Sequence, residues 1–241
     1  MELNKIYNED CLEGMKRIDD KSIDMILCDL PYGTTNNKWD SVIPLDKLWE
    51  QYNRVIKDNG AIVLTAQTPF DKVLGVSNLK TLKYEWIWSK TQGTGHLNAK
   101  KIPLKNHENI LIFYKKLPTY NPQMTKGKAY TQKSGRSSSN YNKQVSVVTE
   151  NKGFRYPLTV QQFKSEKGLH PTQKPVALFE YLIKTYTNEG ETVLDNCMGS
   201  GTTAIACLNT NRNYIGFELD EGYYEVAVNR IKEESQLALE V

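Results

Sequence analysis

Ile23-Asp24-Met25-Ile26-Leu27-Cys28-Asp29-Leu30-Pro31-Tyr32 runs from an apolar segment into an acid, a proline and an aromatic ring. The six residues Ile23 to Cys28 are short for a helix and apolar at every position but Asp24. A proline just beyond them stops any further pairing. That pattern predicts a buried parallel strand feeding a loop at its carboxyl end. In open α/β sheets this edge is where ligands bind, so the chain is expected to be α/β, with chemistry on the loop Asp29 to Tyr32.

The neighbouring segments extend the same alternation. Lys5 to Asp10 reads as a short strand ending in an acid, followed by a helix through Arg17, and Leu45 to Lys57 reads as an amphipathic helix. An Asn59-Gly60 turn introduces the strand Gly60 to Ala66, and a helix is expected from Thr68 to Val76. Lys83 to Lys90 and His107 to Lys115 look like an antiparallel pair at one end of a mixed sheet, joined by a Gly, Asn and Lys loop. Beyond Lys116 regular patterning fades, and Ser134 to Asn140 is a polar, flexible stretch. Order returns at His170-Pro-Thr-Gln-Lys-Pro175, where Thr172 can cap a helix running to about Tyr186. A strand Thr192 to Asn196, a glycine turn, a helix through Leu208 and a strand Tyr214 to Glu218 complete the pattern.

With 241 residues, 39% hydrophobic and 24% charged, the chain is long enough for one large α/β domain with an insertion. No apolar run reaches membrane length and no signal peptide opens it, which reads as a cytoplasmic protein. The four cysteines (Cys11, Cys28, Cys197 and Cys207) lack metal-ligand spacing and read as buried, reduced thiols. The net charge of +3 hides an uneven distribution. Residues 115 to 174 hold twelve Lys or Arg against only Glu150 and Glu166, leaving the rest of the chain with 19 basic and 26 acidic residues. Tyr and Phe are interleaved with these cations, as on a surface that follows a phosphate backbone. Lys126, Lys128, Lys133 and Arg136 are its candidate DNA contacts, with Trp39 on the polar loop after Tyr32.

An Asp, an exposed carbonyl and an aromatic ring together suit the recognition of an exocyclic amine. Ionised Asp29 is a pure acceptor for one amine proton, the Leu30 carbonyl can take the other, Pro31 fixes the turn, and Tyr32 can stack on a base. No metal is required. Asp29-Leu30-Pro31-Tyr32 resembles the catalytic motif of the amino-directed DNA methyltransferases, in which Asp, Asn or Ser is followed by Pro-Pro and an aromatic residue. The resemblance implies adenine N6 as target, because Asp opens the motif in the adenine enzymes and Ser commonly does in the cytosine-N4 enzymes. Leu30 departs from the commoner Pro at a position used through its carbonyl.

Gly199-Ser200-Gly201-Thr202-Thr203-Ala204 fits a glycine-rich nucleotide turn, and Glu218 ends the next strand at a separation suited to ribose hydroxyls. Taken bare, this would serve a nicotinamide cofactor as well as S-adenosylmethionine. Its place at the end of the chain argues against the nicotinamide oxidoreductase, as does the little sequence that follows it. Asp195 to Thr203 resembles the family's donor motif, with Asn196-Cys197 where Pro-Phe is usual. The resemblance assigns Asp10 to the donor's adenine, and the stretch holding His170, Thr172 and Lys174 to its methionine end. Asp195, Gly199, Gly201, Thr202 and Glu218 complete the set. Asp10 reads equally well as a helix cap.

The order of motifs, catalytic first and donor-binding last, is the permuted order of the family's β group. The resemblance implies a Rossmann-like, seven-stranded, mostly parallel sheet with one reversed strand, and a small basic target-recognition insertion. Residues 1–116 would form the catalytic half, 117–168 the insertion and 169–241 the donor-binding half. The expected activity is transfer of a methyl group from S-adenosylmethionine to N6 of a flipped adenine in double-stranded DNA. Cytosine N4, an RNA amine and a noncatalytic DNA-binding role stay open, as do a homodimer and a cognate restriction endonuclease.

Overall fold

A computed structural model describes residues 1–33, 41–134, 147–166 and 173–239. In chain order the first elements are β1 (Lys5–Asn8), α1 (Cys11–Met15), β2 (Ile23–Asp29), α2 (Leu45–Val55), β3 (Ile56–Ala66) and α3 (Phe70–Ser77). They are followed by β4 (Leu82–Thr94), a single 3-10 turn at His96–Asn98 and β5 (Lys105–Phe113). Four short strands come next: β6 (Thr125–Lys126), β7 (Tyr130–Ser134), β8 (Val147–Asn151) and β9 (Phe154–Arg155). The chain closes with β10 (Val160–Phe163), α4 (Val176–Tyr186), β11 (Thr192–Asp195), α5 (Thr202–Asn209), β12 (Asn213–Glu218) and α6 (Glu221–Leu239).

Among the described residues, eight strands form the main sheet in the order β1-β12-β11-β2-β3-β5-β4-β10. β5 is antiparallel to both its neighbours, while every other pairing in this sheet is parallel, so β5 is its one reversed strand among the described residues. The expected apolar run is β2, with Met25 to Cys28 fully buried near the middle of the sheet. Period-two alternation explains how both faces are covered. Ile26, Cys28, Ile62, Leu64, Leu111 and Phe113 join α1, α2 and α3 in one core. Met25, Leu27, Ala61, Val63, Ile110 and Ile112 join α4, α5 and α6 in the other.

Two details differ from the sequence expectation. β10 adds an eighth strand beside β4, because Trp88 donates its indole N–H to the Phe163 carbonyl at 2.9 Å and the Phe163 ring packs edge-on against Tyr181. Asn59-Gly60 is no turn between elements but lies within β3. Ile23 pairs with Ile56 and Met25 with Ala61, so residues 57–60 form a bulge, where a Cβ on Gly60 would come within 2.7 Å of the Asp24 carbonyl oxygen.

Met1–Asn121 with Thr159–Val241 forms one compact unit, and Pro122–Leu158 a second. The second lies inside the expected insertion 117–168, and it is more regular than its composition suggests. It holds the antiparallel pairs β6–β9 and β7–β8. Arg155 braces it, donating to Asn151 Oδ1 at 2.7 Å and to the Lys128 carbonyl at 2.5 Å, with its guanidinium over the Tyr130 ring. Of the candidate DNA contacts, Lys126, Lys128 and Lys133 are exposed on this unit. Trp39 and Arg136, like the stretch Ser134 to Asn140 beyond its first residue, lie outside the described residues.

The glycine turn is tied to the sheet by Asp195. Its carboxylate, 2% exposed at the end of β11, accepts the Cys197 N–H at 3.0 Å and the Thr203 hydroxyl. Burial raises its pKa from 3.8 to about 6, even though these hydrogen bonds favour the charged form. A carboxyl whose folded value exceeds its unfolded one holds its proton more firmly in the native state. Its contribution to stability therefore falls as pH rises from about 4 to about 6, then stays level, a total of roughly 3 kcal/mol. Asp195→Asn is expected to remove that loss. In denaturant titrations the variant gains on the parent through this window, and a constant difference from about pH 3.5 to 7 would contradict the account.

Candidate functional site

The carboxyl edge of the main sheet gathers acids from four strands or their ends. Asp29 ends β2, Asp195 ends β11, Glu218 ends β12, and Asp10 follows β1. The reversed β5 brings its opening residues to this same edge: Asn109 pairs with Ala66 at the end of β3, and Glu108 with Trp88 on β4. A cavity of about 800 Å³ opens there, within the larger unit. Its lining runs from Asp10, Gly199 and Glu218, past Asp29 to Tyr32, to Trp88, Lys90 and Glu108. This is ample for a nucleoside-sized ligand and a base together.

The Asp29 side chain has three partners in it. Oδ1 accepts the Tyr32 hydroxyl at 2.6 Å and the Thr65 hydroxyl, and Oδ2 accepts the Lys174 ammonium. Lys174 is only 5% exposed, and its second carboxylate partner is Glu108, at 3.4 Å. Glu108 in turn is held by Lys90 at 2.5 Å, whose ammonium lies over the Trp88 ring. Burial opposes the charge on Lys174, yet Asp29 and Glu108 outweigh it and raise its pKa above the ordinary lysine value. Burial likewise opposes the charge on Glu108, and there Lys174 and Lys90 prevail and lower its pKa. The sequence expectation set Lys174 at the methionine end of the donor. In this structure its ammonium is engaged with Asp29 and Glu108, as a buried cation requires carboxylate partners, and it lines the same cavity.

Leu30 is buried, and the Tyr32 ring stacks on Phe70 with centroids 5.3 Å apart. Burial, then the Asp29 charge, push the Tyr32 hydroxyl well above its ordinary pKa, so it stays a neutral donor. Asp10 caps α1 as one reading anticipated, its Oδ1 accepting the Leu12 and Glu13 N–H groups at 2.9 and 3.1 Å, and it also lines the cavity.

At the other end, Glu218 accepts the Gly199 N–H at 2.7 Å and the Asp220 N–H at 2.9 Å, and burial raises its pKa. Gly199 has a positive φ of 54°, and nothing stands within 4 Å of where its Cβ would be, so backbone faces open space. Gly201 serves packing: a Cβ there would lie 3.2 Å from that of Ala227 on α6. Thr202 is buried, and its hydroxyl is 3.4 Å from the Lys174 carbonyl oxygen that accepts it. Asn196, where Pro is usual, turns inward, with its Oδ1 accepting the Tyr52 hydroxyl and its Nδ2 within 3.6 Å of the Cys11 and Cys197 sulfurs. His170 and Thr172 lie outside the described residues. Thr65, Lys90 and Glu108 were not foreseen; the signal for Glu108 was an acid two residues before the apolar segment Ile110 to Phe113.

Comparison with known proteins identifies the family. The model of the DNA methylase family N6_N4_Mtase matches residues 23–229. The chain is 31% identical to the type II methyltransferase M.HpaI of Haemophilus parainfluenzae, over 95% of this chain and 74% of that protein. It is 29% identical to the DNA adenine methyltransferase YhdJ of Escherichia coli K12, over 99% and 86%. The crystal structure of an M1.HpyAVI-SAM complex superposes with a TM-score of 0.65 at 25% identity, covering 94% of this chain and 98% of that one. With a family match across most of its length and a relative 31% identical over 95% of it, the chain belongs to the N6_N4_Mtase family of DNA methylases.

Proposed function

We propose that this DNA methyltransferase acts on N6 of adenine, that S-adenosylmethionine is its methyl donor, and that Asp29 is the acceptor that orients the target amine. One observation carries the reading: the Asp29 carboxylate and the glycine turn at Gly199 open into a single cavity. Asp rather than Ser at position 29 supports adenine over cytosine, as does the likeness to YhdJ, a DNA adenine methyltransferase. The motif order supports a place in the β group.

The donor supplies an electrophilic methyl group carried on a sulfonium. Residues of this chain can hold it. Open space beside Gly199 admits its backbone-facing side, Glu218 keeps acceptor capacity for ribose hydroxyls, and Asp10 Oδ2 is not used in capping α1. The target adenine must leave the duplex to reach this cavity. Asp29 and the Leu30 carbonyl then fix the amine with its lone pair facing the donor, and positioning supplies much of the rate. As the nitrogen gains positive charge, the Asp29 carboxylate in its partly dry setting stabilises it. The exposed Lys126, Lys128 and Lys133, with Arg136, carry the DNA backbone on the unit Pro122–Leu158.

Asp29→Ala is expected to keep donor affinity while methyl transfer falls by about 100-fold or more. Glu218→Ala should weaken donor binding by roughly 1–3 kcal/mol, and Gly199→Val by more. Calorimetry paired with a transfer assay reads both, and near-parental turnover of Asp29→Ala would overturn the assignment.

Replacing Lys126, Lys128, Lys133 and Arg136 together with Ala should weaken binding to DNA of any sequence. Its salt dependence should flatten by up to about 0.9 in slope for each phosphate no longer neutralised, with donor affinity intact. An unchanged slope and affinity across a salt titration would place the DNA-binding surface on other loops.

A further inference from the structure

A carboxylate offers about four acceptor positions, two on each oxygen. In Asp29 both positions of Oδ1 are taken, by Tyr32 and Thr65, and one on Oδ2 is taken by Lys174. The amine of a substrate can therefore be received only at the position Lys174 leaves on Oδ2. An ammonium carries three protons, and a buried one aimed at a single carboxylate would crowd that position. Lys174 donates to Asp29 Oδ2, but it has a second carboxylate beside it, with Glu108 Oε2 3.4 Å from the same Nζ. Glu108 Oε2 is buried, with no hydrogen bond among the described residues, while Oε1 is anchored by Lys90. Lys90, Glu108, Lys174 and Asp29 thus alternate in sign along a chain of ion pairs reaching the reacting edge.

We propose that Glu108, anchored by Lys90, is a positioning residue for methyl transfer. It shares the charge of the Lys174 ammonium with Asp29, to which Lys174 donates, and so limits the ammonium's hold on Asp29 and keeps one acceptor position on Oδ2 open to the substrate amine. The inference rests on Asp29 being the amine acceptor. Glu108 touches neither donor nor reacting nitrogen in this role, but acts through Lys174. The reversed direction of β5 makes it possible, since only a strand running against its neighbours begins where they end. The directions in which Lys174 and Glu108 are shifted agree with it, both being favoured in their charged forms despite burial.

Glu108→Gln, which keeps the shape and removes the charge, should lower kcat by about 10- to 100-fold, the scale of a misplaced catalytic group. KM for DNA and calorimetric affinity for S-adenosylmethionine should stay within about twofold of the parent. Glu108→Asp, with its charge retained on a shorter arm, should fall between. In a Lys174→Met background, Glu108→Gln should cause less than about a twofold further change, because the group it acts through is gone. Equal fold losses in both backgrounds would mark Glu108 as merely structural, and parental kcat in Glu108→Gln would end the proposal. Should Glu108→Gln fail to fold, Glu108→Asp in the two backgrounds decides the same question. Asp29→Ala separates the two levels: if it retains turnover the reading of Asp29 fails, and if it is inactive while Glu108→Gln is normal only this inference fails.

Discussion

The buried ion pair between Lys174 and Asp29 constrains the rest of the site. Desolvating an ammonium is expensive unless carboxylates and hydrogen bonds compensate it, and here two acids from different strands do so. Asp29 comes from the end of β2 and Glu108 from the start of β5, with β3 between them. Thr65 and Tyr32 then saturate the oxygen of Asp29 that Lys174 does not hold. What remains is one acceptor position in a partly desolvated setting, facing a cavity. On the proposed reading this position receives an amine, which brings a proton to an acceptor and a lone pair to an electrophile.

Bringing Asp29 and the glycine turn to one cavity depends on the pairing of β11 with β2, which joins the late part of the chain to the early part. β11 pairs in turn with β12, so Asp195, the glycine turn and Glu218 arrive together on one side of Asp29. Each acid has a distinct task in the architecture. Asp195 is enclosed and ties the turn to α5 through Thr203, whereas Glu218 holds the Gly199 N–H and still lines the cavity. The same sheet edge therefore separates a rigid support from groups left able to bind.

Much of this was legible in the sequence, for identifiable reasons. Ile23 to Cys28 is apolar because β2 is covered on both faces, and the reversed strand announced itself by the aromatic and apolar pair around Lys90 and His107. The glycine turn was visible because a positive φ at Gly199 and close packing at Gly201 both select glycine. What stayed hidden depends on pairings between distant positions. Nothing near Lys174 in sequence shows that its partners are Asp29 and Glu108, 145 and 66 residues earlier. β10 is four residues with only alternate partial burial, too weak a pattern to stand out. Asn59-Gly60 carries a turn signal that a bulge satisfies equally well, and the strands of Pro122–Leu158 are short and polar, so their pairing left no periodicity to read.

The central claim is that the open acceptor position of Asp29 receives the amine of adenine. It is tested most directly by incubating the protein with methyl-labelled S-adenosylmethionine and DNA of mixed sequence, then digesting the DNA to nucleosides and separating them by mass. The account predicts label in N6-methyladenine. Label in N4-methylcytosine, or none in DNA, would contradict it.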